Sequence, residues 1–141
     1  MNTIVRSCAV AAAALLCVAA SSAPAGAVAG GERRANTTIT EVLCTYATNQ
    51  AGSALDVTIV VSWRGNDPYG VNTPIQYDTF SSYSAGFFPS RAENRANSAT
   101  RTLATPISST VSTLSVQAGA WVDANGTILT WTPATPCSPA P

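Results

Sequence analysis

The groups that could carry chemistry in this chain are few. Seven carboxylates are present: Glu32, Glu41, Asp56, Asp67, Asp78, Glu93 and Asp123. A glycosidase would need two of them facing one cleft. Their scattered spacing is that of a solvated surface, so the sequence predicts a protein that is not an enzyme, with a small carboxylate-dependent hydrolase as the least favoured alternative. The chain has no His, which removes the commonest general base and the commonest zinc ligand. Asn66, Asp67 and Asn72 share one loop with Asp78 beyond it. Oxygen ligands suit calcium, but the spacing fits no EF-hand, and Asn-Asp-Pro is ordinary turn chemistry. No metal site and no cofactor is expected.

Aromatic residues gather between Trp63 and Phe88: Tyr69, Tyr77, Phe80, Tyr83 and Phe87 lie between them. Most should be core in a strand-rich domain. Phe87-Phe88 differs, because neighbours on a strand point to opposite faces. Beside Gly86 and Pro89, the pair belongs to a loop in which one ring can fold inward. The other could anchor a protein or stack on a sugar. Phe87, Phe88 and Arg91 are therefore the candidate binding loop. The alternative role is a secreted inhibitor of an extracellular hydrolase, which would present the segment Phe87-Phe88-Pro89-Ser90-Arg91 as a rigid loop.

Charge and length narrow the partners. Seven basic residues, all Arg, balance seven acidic ones over 141 residues. That argues against nucleic acid, which needs a basic surface. The length suits one domain.

The N-terminus reads as an export signal. Arg6 precedes an apolar run of about 14 residues, too short for the roughly 20 that a membrane span needs. Small residues then suit cleavage after Ala27 or Ala29, giving a signal peptide over 1–29. Bulky Leu16 before Cys17 disfavours a lipoprotein, and Arg33-Arg34 falls too late to be a twin-Arg signal. Residues 30–36 read as a flexible arm and 37–141 as one domain. The expected product is secreted, with no stable membrane anchor once the signal is removed.

Cleavage leaves Cys44 and Cys137, which most simply form one disulfide in an exported domain. Closing a loop of about 93 residues contributes about 4–5 kcal/mol in the chain-entropy model. A chain starting at Gly30 has six Arg against seven acidic residues, with 17 Thr and 12 Ser. Thr and Val favour strands, and Ser and Gly favour turns. The Ala-rich, Lys-free composition is that of a bacterial, GC-rich source. There, the acceptor patterns Asn36-Thr37-Thr38 and Asn125-Gly126-Thr127 carry little weight.

The elements follow. Residues 37–48 form a first strand, with Val42, Cys44 and Tyr46 on one face and Ile39, Glu41, Leu43 and Thr45 on the other. Leu55, Val57, Ile59, Val61 and Trp63 alternate with polar or smaller residues and mark a half-buried strand. Residues 64–70 form a turn. A strand or strand pair spans 75–84. Ser90 and Glu93 have capping-box spacing, which allows one or two helical turns or a plain loop. Strands are expected over 99–105, stopped by Pro106, and over 111–122 as one long run. Asn125-Gly126 predicts a two-residue hairpin turn with positive φ at both positions, placing Trp121 near Thr130. Residues 127–132 return, with Leu129 and Trp131 on one face. The Pro-rich tail from Pro133 cannot continue a ladder.

Six to eight short strands with turns between them predict an all-β antiparallel β-sandwich. Cys44 followed by Trp63 resembles the immunoglobulin arrangement of a core Trp against a disulfide. Cys137 departs from it by lying in the tail, with no Tyr two residues before. The resemblance therefore implies immunoglobulin-like architecture only, without function. The expected role is a secreted, non-catalytic binding module whose partner is an extracellular protein or carbohydrate.

Overall fold

The computed structural model describes residues 36–141. The signal peptide expected over 1–29 and most of the arm expected over 30–36 lie outside the described residues.

The first layer is a four-stranded sheet in the order β12-β1-β2-β7. It comprises β1 (Thr37–Thr48), β2 (Ala54–Gly65), β7 (Ser98–Ser108) and β12 (Ser138–Pro139). The alternating run in β2 buries every second residue: Leu55, Val57, Ile59, Val61 and Trp63 are all buried. Strand β1 contributes Val42 and Cys44 to the same core. A bulge between Ile39 and Glu41 shifts the register against β2. A bulge resets the alternation of side chains. Ile39 therefore joins Val42 and Cys44 in packing on the core, instead of sharing a face with Leu43. Leu43 is half exposed.

Two short sheets make the second layer. One runs β10-β9-β3-β6 and the other β11-β8-β4-β5. Their strands are β3 (Gly70–Asn72), β4 (Ile75–Tyr77), β5 (Ser81–Tyr83), β6 (Gly86–Phe87), β8 (Leu114–Val116), β9 (Gly119–Trp121), β10 (Ile128–Trp131) and β11 (Thr135–Pro136). Val71 pairs with Ala120, and Ile75 with Val116, in one unbroken register. Phe87 with Val71 and Tyr83 with Ile75 do the same on the other side. The two sheets thus continue each other end to end. Merged this way, the described residues hold eight strand runs in two layers, an all-β sandwich.

Several elements differ from the sequence reading, each for a local reason. The run over 111–122 breaks at Gln117 and Ala118, opposite Pro74. Pro74 has no N–H for the ladder. Gln117 N donates to Pro74 O at 3.1 Å instead, and Ala118 N donates to Thr132 Oγ1 at 2.9 Å. Residues 75–84 form a pair, β4 and β5, joined through Asp78 at φ 51°. Part of the expected 64–70 turn is β3 instead, starting at Gly70. Pro106 does not stop β7, because β7 is an outermost strand and needs no donor on its free side. The register slips there between Ala54 and Asp56. Buried Thr105 closes the gap, donating to Leu55 O at 2.8 Å and accepting from Ile107 N at 3.2 Å.

The β9–β10 connection also differs. Gly126 has φ 81°, but Asn125 is not in the left-handed region. Buried Asp123 organises a longer turn, its carboxylate accepting from Asn125 N at 3.0 Å and Thr127 N at 3.1 Å. Trp121 consequently pairs with Ile128, not Thr130. The Pro-rich tail makes two ladder fragments. Thr135 pairs with Val116 in the second layer, and Ser138 pairs with Thr45 in the first. Cys137 sits where the tail crosses, bonded to Cys44. Cys44 lies opposite Ile59, whereas Trp63 lies opposite Ile39 further along the ladder. The immunoglobulin rank of Trp beside disulfide is therefore absent.

Candidate functional site

The segment 87–91 is split by the fold. Phe87 is half-buried and packs against the core. The Arg101 guanidinium lies 4.3 Å from its ring centroid. Phe88 points the other way, is 69% exposed, and meets Trp121 edge-on at 5.2 Å. Ser90 then caps α1 (Arg91–Ala96), where the capping box is complete. Arg91 is exposed at the first position of that helix.

Glu93 of α1 is tied to β7. Arg101 Nη2 donates to Glu93 Oε2 at 3.0 Å, and Arg101 Nη1 donates to Oε1. Those bonds, then the Ser90 backbone N–H, lower the Glu93 pKa from its ordinary 4.5 to about 2. The pairing in turn raises the pKa of Arg101. Glu93 is thus a structural carboxylate joining helix to sheet.

The remaining described acids serve separate places. Glu41 accepts from Ser62 on the first sheet, at 3.5 Å. Asp78 accepts from Ser112 N and Oγ, both at 3.1 Å, fixing the β4–β5 turn. Asp67 precedes β3 and Asp78 follows β4, so the intervening strand run separates the two. Asn66 lies against β1, accepting from Thr37 Oγ1 at 2.5 Å through its carbonyl. Asn72 lies beside Gly86. Among the described residues, no group of three or more His, Cys, Asp or Glu is placed to hold a metal.

A different feature is concave. A cleft of about 350 Å³ opens between the start of β1 and β10. Residues 36–39 form one wall, 129–133 the other, and Ala120 and Val122 the floor. Two local devices shape it. The β1 bulge brings Ile39 to this wall. Gly119 lets β10 lie close, since a Cβ there would stand 2.7 Å from Ile128 Cγ2 and 2.9 Å from Trp131 Cε3. Leu129 is 64% exposed and Trp131 43%. No lining residue carries an ionisable side chain. The wall is apolar with Thr hydroxyls, suited to holding an uncharged group and unsuited to proton transfer.

The sequence points to the strand that carries part of this site but not to its faces. Leu129 and Trp131 are expected on one face of the last strand, but a register shift between Ile128 and Trp131 breaks the alternation, and Ile128 and Trp131 both meet Gly119. The bulge that recruits Ile39 and the approach of β10 to β1 were not legible, since both arise from pairing between distant segments. Comparison with protein-family models, curated proteins and solved structures gave no match to this chain.

Proposed function

We propose that the protein is an exported, non-catalytic binding module that holds an uncharged, largely apolar ligand group in the cleft between β1 and β10. The observation that carries this reading is the cleft itself: about 350 Å³, apolar and hydroxylic, with no ionisable group in its lining. Ligand sites are typically concave, mostly apolar and fitted with a few polar groups. Export is supported by the signal-like sequence over 1–29 and by a disulfide, which persists in oxidising compartments. No helix among the described residues is long and apolar enough to cross a membrane.

The hydrolase-inhibitor alternative needs an extended, convex 87–91 segment. Phe87 turned inward and α1 starting at Arg91 favour the cleft over that role. A second reading rests on Phe88, whose exposed ring beside Trp121 could stack on a sugar.

Titration of the chain starting at Gly30 with Nile red, an uncharged apolar dye, tests the cleft. Saturable binding that Leu129→Arg weakens at least tenfold, with Phe88→Ala unchanged, is the expected result. No saturable binding, or equal binding by the Leu129 variant, overturns the cleft. Co-sedimentation with cell-wall polysaccharide that is lost only in Phe88→Ala transfers the site to the aromatic pair. Any hydrolytic turnover abolished by Asp67→Ala or Asp78→Ala overturns the non-catalytic reading.

A further inference from the structure

We propose that the occupant of the cleft is an extended polypeptide segment, added as a strand along the open edge of β1; this rests on the cleft being the binding site. Strand β1 is paired with β2 along its whole length. On its other side, β12 reaches it only at Thr45 and Tyr46. Among the described residues, 37–43 have no strand on that side. At about 3.3 Å per residue, the bare edge runs for roughly 23 Å. Outward backbone groups on such an edge are a template for another chain.

Apart from β10, the other outer strands of the fold are blunted. Strand β7 carries Pro106 and is tied to α1 through the Glu93–Arg101 pair. Strand β12 has two residues, one of them Pro139. Strands β5 and β6 are three and two residues long. Residues 37–43 contain no Pro, Lys or Arg, and their one charged side chain, Glu41, is engaged by Ser62. The bulge between Ile39 and Glu41, often a blunting device, here serves to bring Ile39 to the cleft wall.

The same edge already accepts a strand. Ala140 N donates to Tyr46 O at 2.8 Å, and Ser138 pairs with Thr45 in parallel. An incoming segment would extend that interface toward Thr37. Its second flank would be β10, also the outermost strand of its sheet. Alternate side chains of the added strand would enter the cleft, against Ile39, Ala120, Val122, Leu129 and Trp131. With no ionisable group in that lining, the entering side chains must be uncharged, because an unpaired buried charge is costly. The ligand class is an extended peptide with apolar residues at every second position, recognised through its backbone by strand addition.

The test uses acetylated, amidated heptapeptides with Thr at odd positions and Val, Leu, Ile or Phe at even positions. Two further sets carry backbone N-methyl groups, at odd positions only or at even positions only. Peptide binding should slow exchange of edge amides within 39–43 at least tenfold. At least one N-methylated set should lose at least tenfold in affinity: the set facing β1 alone if only that edge pairs, and both sets if β10 pairs with the other edge. Leu129→Arg should also weaken peptide binding at least tenfold. Equal binding by both methylated sets and the parent overturns strand addition. So does peptide binding without edge-amide protection. If no peptide binds below 1 mM (about −4.1 kcal/mol) while Nile red still binds, strand addition fails and the cleft reading stands. If neither binds, both fail.

Discussion

Glu93 and Arg101 show how single residues join elements that the chain separates. The Arg101 guanidinium sits over Phe87 and grips Glu93, so one side chain fixes both a turned-in ring and a helix. Bidentate pairing of this kind exceeds an ordinary surface ion pair. The depressed pKa sets the pH dependence. Protonation is favoured in the unfolded chain near pH 4.5 but in the folded chain only near pH 2. The contribution is therefore complete above pH 4.5 and lost as pH falls from 4.5 toward 2. Glu93→Gln keeps the capping geometry and removes the charge. It should lower stability by about 1–2 kcal/mol at pH 7, after allowance for solvent screening. Denaturant melts across pH should show the gap between the two proteins closing over that acid window. A gap independent of pH would show that the Glu93–Arg101 ion pair does not contribute to stability. Glu41 on the first sheet and Asp78 and Asp123 in turns stand apart from Glu93 and from one another.

At the scale of elements, breaks in the ladder matter as much as the strands. Pro74 opposite Gln117 divides one long pairing into two short sheets without altering its register. Thr105 lets β7 run past Pro106 by satisfying the backbone groups that the slip exposes. Gly119 allows β10 to close on β9, which sets the cleft wall. Gly119→Ala places a methyl within 3 Å of Ile128 and Trp131, so β10 must move. The substitution should cost about 1–3 kcal/mol, as overpacking does. It should also shift Trp131 fluorescence and weaken Nile red binding. Unchanged fluorescence and stability would show that Gly119 does not position β10. Much of the fold was legible at this scale. The β2 alternation, the capping box and the strand pair over 75–84 follow from residue types. Long-range pairing decided the rest: the bulge at Ile39 and the Asp123 turn depend on partners far along the chain or on side chains acting as backbone caps.

For the whole molecule, the tail is the closing element. Residues 135–139 pass from β8 in the second layer to β1 in the first, and the Cys44–Cys137 bond pins the crossing. The cross-link spans 93 residues. Reduction should remove about 4–5 kcal/mol, a large share of the 5–15 kcal/mol typical of a domain. Urea midpoints with and without reductant, and for Cys44→Ala with Cys137→Ala, measure it. A loss below about 1 kcal/mol would mean that strand pairing alone holds the tail. The tail also bears on function, because β12 covers the edge of β1 only at Thr45 and Tyr46.

The amino-acid sequence by itself determined the class and the staple. Thr- and Val-rich alternation dictates strands, and reading residues 1–29 as a signal leaves one pairing, Cys44 with Cys137. It also determined that histidine chemistry is absent. Only the tertiary structure decided where binding could occur. The cleft is a gap between β1 and β10, two strands some ninety residues apart, and its walls exist through a bulge, a glycine contact and a tail that stops short of covering the edge. Local residue preferences act over a few neighbours, so they write the strands. The space left between strands depends on how distant ones pair.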